Sequence, residues 1–108
     1  MPMFMVQASY TNTAWGKLVQ RPENRMEGLT PVMEQLGGKI LAWYYTFGDY
    51  DVIVLFEVAN SITAAAVSMA IAGSGAVKAF KTTVLMSPDD GFEAMLLAQG
   101  AGYHQPGV

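Results

Sequence analysis

Cysteine is absent from this 108-residue chain, histidine occurs once, and charged residues make up only 14% of it. Without cysteine there is no disulfide framework, no thiolate nucleophile and no thiolate-ligated zinc or iron–sulfur centre. His104 has no second histidine to share a metal with, so neither a metal nor a cofactor is expected. Six basic residues are outnumbered by nine acidic ones, and the net charge of -3 opposes a nucleic-acid partner. No apolar run reaches the roughly 18 residues of a membrane span. The longest apolar strand, Val52 to Phe56, stops at Glu57, so no membrane partner is expected. The opening Met-Pro-Met-Phe-Met lacks the basic segment and cleavage site of a signal peptide, which makes the cytoplasm the expected location.

What the chain has in surplus is apolar side chain, at 52% of residues. A domain of this size buries roughly 65% of the surface its unfolded form exposes, so a small monomer does not easily hide that much apolar area. The excess must meet a partner or line a pocket, and a second copy of the same chain is the simplest partner.

Met3 to Tyr10 alternates Phe4, Val6, Ala8 and Tyr10 against Met3, Met5, Gln7 and Ser9, the period of a half-buried strand. Thr11, Asn12 and Thr13 offer capping oxygens ahead of Trp15 to Val19, a short helical turn ending at Arg21-Pro22. Pro22 suits a first helical position, and Met26, Leu29, Val32, Met33 and Leu36 recur at helical spacing, which predicts a main helix over about residues 22 to 36. Pro31 lies inside it and predicts a kink or break near Thr30; Gly37-Gly38 stops it.

Lys39 to Phe47 and Tyr50 to Val58 read as strands joined by a tight hairpin at Gly48-Asp49. That turn pairs Thr46 with Asp51, Tyr44 with Ile53 and Trp43 with Val54. One face then carries Trp43, Tyr45, Val52, Val54 and Phe56, the expected helix-covered core. The other carries Tyr44, Thr46, Asp51, Ile53, Leu55 and Glu57, a mixed face. Asn60 or Ser61 caps a helix to about Ala72, with Ile62, Ala65, Ala66, Met69 and Ala70 expected to pack on the sheet. Gly73-Ser74-Gly75 precedes a last strand over about residues 76 to 86. Ser87-Pro88-Asp89-Asp90 then opens a terminal helix over about residues 88 to 99. The fold class is therefore α+β: a ferredoxin-like βαββαβ unit with a four-stranded antiparallel sheet and an extra C-terminal helix. Residues 1–99 are expected to form this domain and residues 100–108, rich in glycine, a flexible tail.

Leu36-Gly37-Gly38-Lys39, Phe47-Gly48-Asp49-Tyr50-Asp51-Val52 and Glu57-Val58 together resemble the GYD-domain family, over residues 3 to about 99. Pro31 and the glycine-rich tail depart from that pattern. The resemblance implies the dimeric α+β barrel arrangement, in which two ferredoxin-like sheets face each other, and so implies a homodimer or higher homo-oligomer. The wider barrel group includes ligand-binding members, haem-handling proteins and cofactor-free oxygenases, isomerases and decarboxylases.

Asp51 is the leading candidate for a catalytic role, because a carboxylate at the head of an apolar strand is placed to act as a base. Its simpler role is to hydrogen-bond the hairpin backbone. Tyr44 and Thr46 share its predicted face and offer hydroxyls to a substrate, while Trp43 and Tyr45 offer aromatic surface to a ligand or simply fill the core. Lys81, mid-strand, either reaches solvent or presents a cation to an anionic ligand. Trp15, Lys17 and Arg21, just past strand one, form either a gate or anion clamp, or scattered surface. Three functions follow: an oligomeric protein binding a small, largely apolar or aromatic ligand, a cofactor-independent enzyme of isomerase, decarboxylase or oxygenase type using Asp51 with the hydroxyl of Tyr44 or Tyr45, or an assembly module without a pocket.

Overall fold

A computed structural model describes residues 1–107; the last residue of the expected tail lies outside the described residues. The elements are β1 (Met3–Tyr10), α1 (Asn12–Gln20), α2 (Arg25–Gln35), β2 (Lys39–Tyr45), β3 (Val52–Glu57), α3 (Ser61–Ala72), β4 (Val77–Leu85) and α4 (Pro88–Gln99). All neighbouring strands are antiparallel in the order β2-β3-β1-β4, which is the ferredoxin-like topology.

The period-two pattern of β1 and β3 makes the core. Phe4, Val6 and Ala8 pair across the ladder with Phe56, Val54 and Val52, and all six are buried. The Phe4 and Phe56 rings stack with centroids 5.7 Å apart. Met33 of α2, Ala64 and Val67 of α3, and Val58 close over them. Burying each such larger side chain contributes about 1.5–3 kcal/mol. Trp43 and Ile40 of β2 lie on this covered side although three residues apart, because a bulge between Ile40 and Ala42 inserts one extra residue into the pairing. Residues of α1, α2 and α3 all join this cluster, leaving the opposite face without a helix from it.

Several local expectations change. The turn at Trp15 is a full nine-residue helix, α1, whose Thr11 hydroxyl accepts from the Ala14 amide at 3.1 Å. The main helix begins at Arg25, not Pro22, because the Asn24 side chain supplies the capping acceptor for the Met26 and Glu27 amides. Pro31 does not break α2: Glu27, the residue whose carbonyl loses its amide partner, is exposed to solvent. The hairpin keeps its predicted register, with Trp43 opposite Val54 and Tyr44 opposite Ile53, but it is not a two-residue turn. Thr46 closes a wider loop, its amide donating to the Asp51 carbonyl at 2.7 Å and its hydroxyl to the Tyr50 carbonyl. Neither Gly48 nor Asp49 has the positive φ a tight hairpin needs.

Helix α3 uses a different face from the one expected. Ala64, Val67 and Ile71 pack inward, while Ile62 and Met69 are 80% and 73% exposed. With no charged residue in this helix, both faces are apolar and periodicity does not choose between them. The small side chain of Ala64 permits close approach, and the Ser68 hydroxyl meets that of Thr82 at 2.8 Å.

The glycines of Leu36-Gly37-Gly38-Lys39 have separate tasks. Gly37 has φ +74°, which suits glycine, and a Cβ on Gly38 would stand 2.6 Å from Val58 Cγ1 and 2.9 Å from the Glu57 carbonyl.

Candidate functional site

Asp51, immediately ahead of β3, ties a knot of hydrogen bonds. Its amide donates to the Ala8 carbonyl at 2.9 Å, and its Oδ2 accepts from the Tyr10 amide at 2.9 Å and from Trp15 Nε1 at 3.0 Å. One carboxylate therefore joins the start of β3, the end of β1 and α1. Charge-assisted bonds of this kind are stronger than neutral ones. An aromatic corner surrounds the knot. Trp15 meets Tyr10 edge-on with centroids 5.1 Å apart, Tyr45 lies 6.1 Å from Trp15, and Trp43 lies 6.4 Å from Tyr45. The indole N–H of Trp43 is buried and has no acceptor among the described residues.

Tyr10 is only 9% exposed. Burial pushes its phenol up to about 12, the Tyr45 hydroxyl adds to the effect, and the Arg25 guanidinium opposes it. The shift bears on the alkaline range, since a phenol at its ordinary value is already protonated at neutral pH.

Beside this corner, a cleft of about 770 Å³ opens between α1, the segment joining α1 to α2, and the residues leading into β4. Lys17, Arg21 and Arg25 line it together with Tyr10, Leu18 and Ala76. Arg25 pairs with Glu23 at 3.0 Å, both side chains substantially exposed, and its guanidinium lies over Gly28, where a Cβ would meet Nη1 at 3.0 Å. A smaller hollow of about 260 Å³ adjoins, sharing Glu23 and Arg25 and walled by Trp43 and Tyr45.

The sequence candidates divide between the two faces of the sheet. Trp15, Trp43, Tyr45 and the Asp51 carboxylate belong to one aromatic corner, with Arg21 in the adjoining cleft. Tyr44, 63% exposed, sits opposite Ile53, and Lys81 is opposite Gln7, both on the uncovered face. Asp51 is thus hydrogen-bonded into the corner and not grouped with Tyr44, because the strand end lets its carboxylate reach α1. The Thr46 hydroxyl is engaged in closing the hairpin. Tyr10 and Arg25 were not singled out by the sequence. Tyr10 reads as one more inward strand residue, and the only signal for Arg25 is the glycine three positions on that leaves room for its guanidinium. No group of three or more histidine or acidic side chains is gathered among the described residues in a way that could hold a metal ion.

Comparison with known proteins decides the family, since the GYD domain matches residues 4–95. The chain belongs to the GYD-domain family. This GYD chain is 30% identical over 78 residues to a protein of Thermus thermophilus named "Glutamine synthetase and cystathionine beta-lyase binding protein". That match covers 72% of this chain and 82% of the Thermus protein. Among solved structures, the GYD domain resembles MtbAldR with a TM-score of 0.56 at 13% identity, covering 99% of this chain and 56% of that one. FFRP-DM1 gives a TM-score of 0.49 at 15% identity, covering 80% of this chain and 100% of that one. At such identities the MtbAldR likeness is one of fold, and it agrees with the ferredoxin-like sheet of the GYD domain. No helix among the described residues is long and apolar enough to cross a membrane.

Proposed function

We propose that this GYD protein is a homo-oligomeric binding protein whose assembly pairs the uncovered sheet faces and shelters α4. The observation that carries this reading is α4 itself. It is capped by Ser87, opened by Pro88 and has acidic residues in its first turn, yet none of its residues is buried. Phe92, Met95 and Leu96 make an apolar stripe at helical spacing and are 61%, 70% and 53% exposed. The chain measures 58 × 33 × 22 Å with a radius of gyration of 17.4 Å. A compact chain of this length has a radius of gyration of about 13 Å. Such an extended outline supports the reading of a protomer shaped for a partner.

Pairing of the sheet faces would enclose Met5, Ile53 and Leu55, with Tyr44 and Lys81 at the rim, around a small, largely apolar or aromatic ligand. Asp51 serves this reading as a brace, since its carboxylate already accepts two hydrogen bonds. Sedimentation equilibrium of the full chain and of a chain ending at Met86 tests the assembly. The full chain is expected to be dimeric or larger at micromolar concentration and the shortened chain to dissociate. A full chain that stays monomeric there would refute the reading.

A second reading, that the chain docks on a larger protein, is favoured by Phe47, which is 97% exposed at the tip of the hairpin, and by the name of the Thermus relative. Biosensor binding to purified glutamine synthetase, compared with a Phe47→Ser variant, measures it. Equal response from both proteins would remove Phe47 from the interface.

A further inference from the structure

We propose that the cleft between α1, α2 and the segment entering β4 binds a small organic oxyanion, its acid group held by Lys17, Arg21 and Arg25 and its apolar body by Leu18 and Ala76. This deepens the reading of the chain as a binding protein but does not depend on its self-association.

The first support is charge. The chain carries six basic residues against nine acidic ones, yet three of those six line one cleft, with Glu23 the only acidic residue there among the described residues. Lys17 and Arg21 stand at the C-terminal end of α1, where the helix dipole favours cations. Arg25 does not have that explanation. It is the first residue of α2, at the positive end of that helix's dipole, where the Asn24 side chain already caps the Met26 and Glu27 amides and Glu27 is the acidic residue of the first turn. A cation placed there creates a demand for a negative group, and Glu23 is the carboxylate that pairs with it.

Glu23 meets that demand weakly. Its bond to Arg25 is a single contact between partly exposed side chains, a type of ion pair worth roughly 0–1 kcal/mol, so an arriving anion displaces it readily. The planar guanidiniums of Arg21 and Arg25 suit bidentate contact with a carboxylate or phosphate.

The second support is the wall chemistry. Tyr10, a phenol protonated at neutral pH with or without any shift, lines the cleft and adds a neutral polar group beside the cations. Leu18, Ala14 and Ala76 supply apolar surface, and the cleft volume of about 770 Å³ suits a small organic molecule rather than a bare ion. The adjoining hollow adds aromatic wall from Trp43 and Tyr45. The site is on the helix-covered side of the sheet, separate from the face assigned above to assembly.

The test is an amide-resolved NMR titration of the full chain with three probes sharing one ring: phenylacetate, phenyl phosphate and neutral 2-phenylethanol. Saturable shifts at Tyr10, Lys17, Leu18 and Ala76 are expected with at least one anion and not with the alcohol. The stronger of the two anions identifies the acid group as carboxylate or phosphate. The double variant Lys17→Gln/Arg21→Gln, and separately Arg25→Gln, should weaken binding at least about tenfold while leaving the remaining amide spectrum intact. Absence of saturable shifts at about 10 mM of either anion would overturn the proposal, given that tighter sites are half-filled well below that. So would equal affinity for the alcohol or unchanged affinity in both variants. Sedimentation of the same samples keeps the two readings apart, because a monomer that binds the anion defeats only the assembly, and an oligomer that ignores it defeats only this site.

Discussion

The body of the sheet and the terminal helix α4 carry equally clear local instructions and meet opposite fates. Alternate residues of β1 and β3 are buried on one face of the sheet, with Phe56 of β3 and Val58 just beyond it at 0% exposure. α4 has its cap, its first-turn proline and its apolar stripe, and it leaves Phe92, Met95 and Leu96 in solvent. Local signals decide whether an element forms; burial is decided by whether another element is available to cover it. α1, α2 and α3 occupy the covered face of the sheet, and α4 has no seat left on it.

The largest test of that contrast sets two aromatic truncations side by side. Phe56→Ala removes a ring from the centre of the core and should lower unfolding stability by about 3–5 kcal/mol. Phe92→Ala should leave the denaturant midpoint of the dilute monomer within about 0.5 kcal/mol of the parent while weakening association. Equal losses in both variants would mean that α4 is part of the body.

Asp51→Ala comes next. It leaves the Tyr10 amide and Trp15 indole N–H without their acceptor and should cost about 1–3 kcal/mol, measured by urea unfolding. Asp51→Asn, which retains an acceptor oxygen, should lose less. The difference between the two variants reports the brace; a base would fail equally in both.

The pH dependence follows from Tyr10. Its folded-state pKa of about 12 lies above the ordinary 10, so the fold favours the protonated phenol. The stability this contributes is complete below about pH 10 and is lost as pH rises toward about 12. Urea midpoints across that window should fall more steeply in the parent than in Tyr10→Phe. Parallel curves would detach Tyr10 from the alkaline loss.

The smallest effects belong to α4. Ser87→Ala removes the acceptor for the Asp90 amide and should destabilise α4 locally by about 1 kcal/mol. Gly91→Ala meets only Met86 Sδ, at 4.0 Å, and should strengthen the helix by about 0.5–1 kcal/mol. Both should alter amide exchange in α4 without moving exchange in β1 or β3. A coupled change would again place α4 within the body.

Much of the fold is legible in the residues because strand periodicity and capping act over short distances. The register Trp43–Val54 and Tyr44–Ile53, the opening of α4 at Ser87 and a cap of α3 at Asn60 or Ser61 are read from the sequence, and the structure has the first two and places the cap at Asn60. The misread positions are ones where two choices differ little: Asn24, whose side chain caps the Met26 and Glu27 amides, displaces Pro22 as the start of α2, and packing on the sheet chooses between the two faces of α3.

The candidate site was less legible. Lys17 and Arg21 stand out as neighbours on one helix, but Tyr10 and Arg25 join them only when the chain brings β1 and α2 to one corner. Asp51 was marked by its position at the head of a strand and Trp15 as a gate residue, but their hydrogen bond and the part of Tyr10 in it, across about 40 residues, were not.

By itself, then, the sequence determined which segments become strands and helices, the ferredoxin-like order and the surplus of apolar surface, since these follow from periodicity, caps and composition. Only the tertiary structure decided that Asp51 braces an aromatic corner, that three cations share a cleft and that α4 stands outside the core. Those outcomes depend on which side chains meet across long sequence separations, and that is fixed by packing of the whole chain rather than by any one stretch of it.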